Sequence, residues 1–138
     1  MATETEIMQA LFAQVAALTL SPALPASAIA WPNVTFTPPA SQRYLEVKFV
    51  PNINTRFGVS TTHQMLGLLQ LNIHGQKGAG EAGVRADAAA IVEHFPADLE
   101  LTNAATKVRI TARPEARDMI VADASVFIPV MVGWETFA

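Results

Sequence analysis

The sequence predicts an α+β fold: a two-layer sandwich in which a mostly antiparallel, mixed sheet carries two helices packed on one face. Three observations carry that expectation. The hydrophobic period switches from helix to strand, back to helix and again to strand along the chain. The strand-like stretches follow one another through short links, which favours antiparallel neighbours, and each helix has an apolar stripe that needs a sheet face to bury it. At 138 residues and 14.8 kDa the chain can build one hydrophobic core and not two, so residues 1–138 are expected to form a single domain.

Residues 3–18 have the pattern of an amphipathic helix. Thr3 and Glu6 stand at capping-box spacing, and Ile7, Leu11, Val15 and Leu18 recur at helical intervals, with Met8 and Phe12 widening the stripe. Residues 21–40 hold Pro22, Pro25, Pro32, Pro38 and Pro39, which excludes helix and leaves an extended connector. It has room for a short strand near Ala28–Trp31 or Val34–Thr37. From Tyr44 to Val50 the alternation is clean, with Leu45, Val47 and Phe49 on one face and Tyr44, Glu46 and Lys48 on the other. The polar stretch 51–62 is expected to be a long mobile hairpin loop carrying Arg56 and Phe57.

Gln64–Ile73 is a second strand, with Met65, Leu69, Leu71 and Ile73 on one face. A glycine-rich loop, 75–83, leads into a second helix, Glu81–Phe95. Its stripe is Val84, Ala88, Ile91 and Phe95, Glu81 and Arg85 are spaced for an ion pair, and Ala86, Ala89 and Ala90 keep it thin. Pro96 stops it. Strand periodicity returns at Leu99–Leu101, Val108–Ala112 and Ser125–Trp134, with a polar turn over Arg113–Asp118.

Two of these strands are apolar on both faces. Leu66 and Leu68 interrupt the polar face of the second strand, and in the last strand Val126, Ile128, Val130 and Val132 oppose Phe127 and Met131. Helices on one face of a sheet cannot cover the other. Either the N-terminal arm or the connector folds over that second face, or it meets another subunit. Pro129 inside the last strand implies an edge or a bulge, since proline cannot donate to a ladder.

Composition excludes several function classes. Apolar residues make up 51% and charged residues only 15%, which argues against disorder and hints at apolar surface meant for another subunit. The net charge is −3 with nine scattered basic residues, so a basic stripe that grips nucleic acid is not expected. The absence of cysteine excludes disulfides, thiolate metal sites and cysteine nucleophiles. No basic leader precedes Arg43, and the near-apolar stretch Ile7–Leu20 contains Gln9 and Gln14 and is too short for a bilayer, so a cytosolic product without membrane association is expected.

Chemistry-bearing motifs are few. Gly78, Gly80 and Gly83 match the G-x-G-x-x-G dinucleotide pattern, which would place phosphate on the backbone N–H groups at a helix N-terminus. Yet His74–Lys77 separate it from its strand, Glu81 would stand beside the phosphates, and the strands around it read as antiparallel rather than as a βαβ unit. His63, His74 and His94 have no metal-ligand spacing. Ser21, Ser27, Ser41, Ser60 and Ser125 lie outside any nucleophile motif, and the carboxylates Asp98, Glu100, Glu115 and Asp118 read as solvated surface. No catalytic, cofactor-binding or metal-binding residue is assigned, no cofactor is expected, and the chain is not expected to be an enzyme. Aromatic and arginine side chains in loops and tails are the better signal, because they anchor protein interfaces. Arg56, Phe57, Leu66, Leu68, Trp134 and Phe137 are therefore the candidate contact residues.

Several stretches carry a family pattern: M-A-T-E-T-E-I-M-Q-A-L-F-A at 1–13, A-W-P-N-V-T-F-T-P-P at 30–39, R-Y-L-E-V-K-F-V-P-N at 43–52 and T-H-Q-M-L-G-L-L-Q-L at 62–71. G-A-G-E-A at 78–82, I-V-E-H-F-P at 91–96 and I-P-V at 128–130 complete it. In these the chain resembles small bacteriophage proteins of the tail-terminator-like kind, also found in prophages and gene-transfer agents. The resemblance implies a structural virion protein without catalytic residues. Its subunits would form a homo-oligomeric ring, usually a hexamer, that caps the tail tube and docks the head–tail connector protein. It also implies a virion tail location after assembly in the bacterial host cytoplasm. Another head–tail neck or completion role is the neighbouring alternative, and a small-ligand or nucleotide-binding domain using the Gly75–Gly83 loop is the alternative from a different class.

Overall fold

The computed structural model describes residues 4–20, 23–56 and 63–137. Thr3, the expected cap, and Phe57 lie outside them. Helix α1 (Glu4–Ala16) buries Ile7, Ala10, Leu11 and Val15. After a single 3₁₀ turn at Ala26–Ala28 come β1 (Ile29–Ala30), β2 (Tyr44–Arg56) and β3 (His63–Gln76). Helix α2 (Ala82–His94) follows, then β4 (Glu100–Asn103), β5 (Thr106–Ile110), β6 (Glu115–Ala116), β7 (Ile120–Val121) and β8 (Ser125–Phe137). The strands form one sheet in the order β1-β2-β3-β8-β5-β4, with β6 and β7 also paired to β8. All pairings are antiparallel except β1 with β2, so the fold is α+β with a mixed sheet.

Several elements depart from the sequence pattern. The stretch expected to loop out from Pro51 instead continues β2 as far as Arg56, pairing Asn54 with Met65 and Arg56 with His63. A register shift between Pro51 and Asn54 breaks the alternation there, which is why the polar run did not read as strand. Gly75 and Gln76, assigned to the glycine-rich loop, are the end of β3, paired with Val126 and Ser125. The turn expected at Arg113–Asp118 contains β6, and β7 follows it; two-residue strands leave no period to detect.

Pro129 is neither on an edge strand nor at a bulge. Its Cα partner in β3 is Asn72, and on the other side its carbonyl accepts the Arg117 N–H at 2.8 Å. In an antiparallel strand the N–H and C=O of one residue point to the same side. The missing donor therefore faces the break between β6 and β7, and the β3–β8 ladder is complete without it.

One core joins the helices to the sheet. Leu45 and Val47 of β2, Leu69, Leu71 and Ile73 of β3, and alternate residues of β8 from Val126 to Trp134 share a face, and the stripes of α1 and α2 bury against it. Polar contacts fix the helices in place. The Thr106 hydroxyl donates to Glu6 Oε2 at 2.9 Å, Gln14 Nε2 donates to the His94 carbonyl at 3.0 Å, and His94 Nε2 lies 2.6 Å from the Gln14 carbonyl oxygen. The expected Glu81–Arg85 pair forms at 2.7 Å on α2.

Trp134 is the largest fully buried side chain and is 1% exposed. Its ring crosses Gly67, its partner in β3, and stacks on Phe49 of β2 at 5.6 Å between centroids. A Cβ at Gly67 would stand 2.3 Å from Trp134 Cζ2 and 2.6 Å from the Val50 carbonyl oxygen, so only glycine admits the indole. Gly67→Ala should therefore cost about 1–3 kcal/mol through overpacking, and Trp134→Ala about 3–5 kcal/mol through the void it leaves. Denaturant titration of both variants and the double variant should show less than additive loss, because the added methyl occupies part of the void. A Gly67→Ala protein as stable as the parent would contradict this packing.

Candidate functional site

The face of the sheet turned away from the core is where a partner could act, and its two ends differ. At the end nearest the start of β2, Tyr44, His74 and Phe127 stand side by side on β2, β3 and β8. The Tyr44 and His74 rings stack at 4.1 Å, and His74 and Phe127 at 4.9 Å. Beside them Asn72 Nδ2 donates to Glu46 Oε1 at 2.9 Å, and Gln70 Nε2 donates to Asn72 Oδ1 at 2.9 Å. His74 Nδ1 lies 2.9 Å from the Ser125 hydroxyl, while Nε2 is buried without a hydrogen bond, 3.6 Å from Glu46 Oε1.

The proline-rich connector covers this end. Trp31 packs on Phe12 of α1 at 5.0 Å, on the core side, whereas Phe36 packs on Tyr44 at 5.1 Å, on the other side. The connector thus crosses the edge of β2 between residues 31 and 36.

At the opposite end no described element covers the face. Val50 of β2 and Leu68 of β3 are cross-strand partners and are each 44% exposed. Leu66 and Met131 are half-buried beside them, and Phe137 at the end of β8 is exposed. Of the candidate contact residues, Leu66, Leu68 and Phe137 thus share this face. Arg56 ends β2 on the same hairpin, and Phe57 lies outside the described residues. Trp134 belongs to the core, and its ring is not available to a partner. The sequence reading missed Val50; its alternation marks it for the polar face, and only its pairing with Leu68 shows that it extends an apolar patch.

Electrostatics do not point to catalysis. Burial pushes the His74 imidazole down, more than the adjacent Glu46 raises it. Burial would raise the Glu46 carboxyl, but the Asn72 hydrogen bond, the Lys48 charge and His74 together hold it below its ordinary value. On the helix side, Arg43 grips the buried Asp87 through two hydrogen bonds, Nε to Oδ2 at 2.9 Å and Nη2 to Oδ1 at 3.0 Å, and Asp87 holds the guanidinium pKa above its usual value. This pair lines the pocket beside Gly80 and Gly83, so the cation in the wall of that pocket is already engaged. β3, which leads into that loop, is antiparallel to both neighbours, unlike the parallel strand of a dinucleotide site. Among the described residues no group of three or more His, Asp or Glu could hold a metal, and no helix is long and apolar enough to cross a membrane.

The α+β fold thus has an outer sheet face on which Val50, Leu68 and Phe137 are exposed. The family comparison is specific: residues 6–134 match the model of the phage tail terminator proteins, and the chain belongs to that family. It is therefore a phage tail-related structural protein. A solved protein structure is similar with a TM-score of 0.79 and 25% identity, covering 99% of this chain and 96% of that one. No curated protein matches the sequence.

Two outcomes follow from the buried polar groups. In the unfolded chain His74 takes up a proton near its ordinary value of 6.5, whereas the folded chain resists it. Its contribution is thus complete above that pH and is lost as the pH falls through it toward the lower folded value. Unfolding midpoints measured from about pH 7.5 to about pH 5, above the range where Glu46 titrates, should fall less steeply for His74→Gln than for the parent. Equal slopes would remove His74 as the cause. Arg43→Ala strands the Asp87 carboxylate and should cost about 3–5 kcal/mol, most of it recovered when Asp87 is also made apolar; chemical denaturation of the two variants decides it.

Proposed function

We propose that this chain is a tail terminator subunit whose copies close into a ring, a hexamer, that caps the tail tube and presents a docking surface to the head–tail connector protein. The observation that carries this is the family match across residues 6–134. The molecule's own features support it. Apolar residues form 51% of the chain, and part of the outer sheet face stays uncovered by any described element, as expected of a subunit that completes its burial against neighbours. The net charge of −3 suits a ring through which DNA passes without being gripped. On this reading the protein assembles in the host cytoplasm and ends in the virion tail, its partners being itself, the tail tube protein and the connector, with no enzymatic step.

Sedimentation velocity over a wide concentration range, with and without isolated tail tubes, tests the proposal, with negative-stain microscopy of the peak fraction. Closed rings of about six subunits, free or seated on tube ends, are expected. A monomer at every concentration that also fails to bind tubes would overturn the proposal.

A further inference from the structure

We infer that the outer sheet face is a two-fold contact surface, on which a second copy of this chain packs face to face with its strands antiparallel to these, so that the connector end of each copy covers the exposed Val50–Leu68 end of the other. The inference goes beyond the ring reading and does not rest on it, since a two-fold contact pairs chains and cannot by itself build a ring.

Residues paired directly across a sheet share a face, so the pairings sort this face into rows. The aromatic row of Tyr44, His74 and Phe127 lies at one end, and Val50 with Leu68 and Gly133 at the other. Two rows between them end in charges. Glu46 is linked through Asn72 to Pro129, whose carbonyl accepts the Arg117 N–H at 2.8 Å. Lys48 is linked through Gln70 and Met131 to Glu115. Arg117 stands two residues from Glu115 and so shares its face. The signs are thus reversed between the two rows on both flanks: Glu46 then Lys48 on β2, Arg117 then Glu115 beyond β8. Lys48 is exposed and has no salt bridge among the described residues. Glu115 and Arg117 are exposed and pair with each other at 3.1 Å.

A surface with that pattern is complementary to itself. A two-fold axis lying across the strands, midway between the charged rows, exchanges them when two such faces meet. It sets Glu46 against Lys48 and Arg117 against Glu115 of the second copy, each contact occurring twice, and unlike charges in register select this pairing over others. The same axis lays the aromatic row over Val50 and Leu68, so the apolar side chains left in solvent gain cover. An axis along the strands, between β3 and β8, also matches charge, with Glu46 on Arg117 and Lys48 on Glu115. The connector decides between the two. Phe36 rides on Tyr44 and raises that end of the face. An axis along the strands would set both raised ends in one row and hold the two Val50–Leu68 ends apart, whereas the axis across them seats each raised end on a low one. About seven residues of roughly 3.4 Å by four strands roughly 4.8 Å apart give each copy a face on the order of 450 Å². That is the scale of reversible rather than permanent contacts, so the pair shields the outer face of the free chain and can part again.

Sedimentation velocity of the full chain without tail tubes tests the contact, and a concentration-dependent dimer is expected. Glu115→Arg sets like charges together at two points and should raise the dissociation constant about tenfold or more. Glu115→Arg combined with Arg117→Glu restores unlike pairs across this axis and should return it to the parent value. Leu68→Glu, which puts a charge under the aromatic row, should abolish the dimer. All three positions are exposed, so the variants should keep the parent's circular dichroism. A double exchange that associates as weakly as Glu115→Arg alone would overturn the antiparallel packing, because along the other axis each exchanged charge meets its like on β2. A parent chain that is monomeric up to about 1 mM would overturn the contact altogether. Rings whose assembly is untouched by Leu68→Glu, with no dimer at lower concentration, would overturn it and leave the ring reading standing. A dimer with the expected mutational pattern that builds no ring on tubes would uphold the contact and overturn the ring.

Discussion

A strand in the middle of a sheet must find partners for its backbone N–H and C=O groups on both edges, and β8 is the strand on which that requirement falls most heavily. One edge runs against β3 without a bulge from Gln64 opposite Phe137 to Gln76 opposite Ser125. The other is met piecemeal by β7, β6 and β5 in turn, as the chain returns along it. The break between β6 and β7 is where the ladder can spare a donor, and Pro129 occupies it. Because side chains alternate strictly along a strand, this pairing also sets the faces: Val126, Ile128, Val130, Val132 and Trp134 all enter the core together.

The same alternation creates the outer face, and the connector decides how much of it is closed. By crossing the β2 edge, residues 31–36 bring Trp31 to α1 and Phe36 to Tyr44, the first ring of the row Tyr44, His74 and Phe127. At the hairpin end Val50 and Leu68 stay in solvent, on the long strands β2 and β3. The fold thereby satisfies its core inside one chain while leaving apolar area on its outer sheet face, which suits a subunit of a phage tail assembly.

Much of this was legible in the sequence. The helices, the strands from Tyr44 and Gln64, the last strand and the two-sided character of Leu66 and Leu68 all follow from periodicity, because amphipathic burial writes its period directly into residue order. What was lost has definite causes. The register shift after Pro51 scrambled the alternation, so β2 was cut short. The strands β6 and β7 are too brief to have a period. Trp134 near the end of the chain resembled an interface anchor, and nothing local announces that Gly67, sixty-seven residues earlier, leaves room for its ring.

By itself, then, the sequence determined the kinds of element, their order, the single core and the family pattern, since each depends on local spacing and total apolar content. Which apolar side chains remain outside was decided only in three dimensions. Whether the connector packs on the second sheet face had two answers, one at each end: Phe36 lies on Tyr44 at one, while Val50 and Leu68 stay exposed at the other. Exposure is a property of what lies on the far side of a side chain, and that neighbour is supplied by strand pairing across the sheet rather than by the residues next in line.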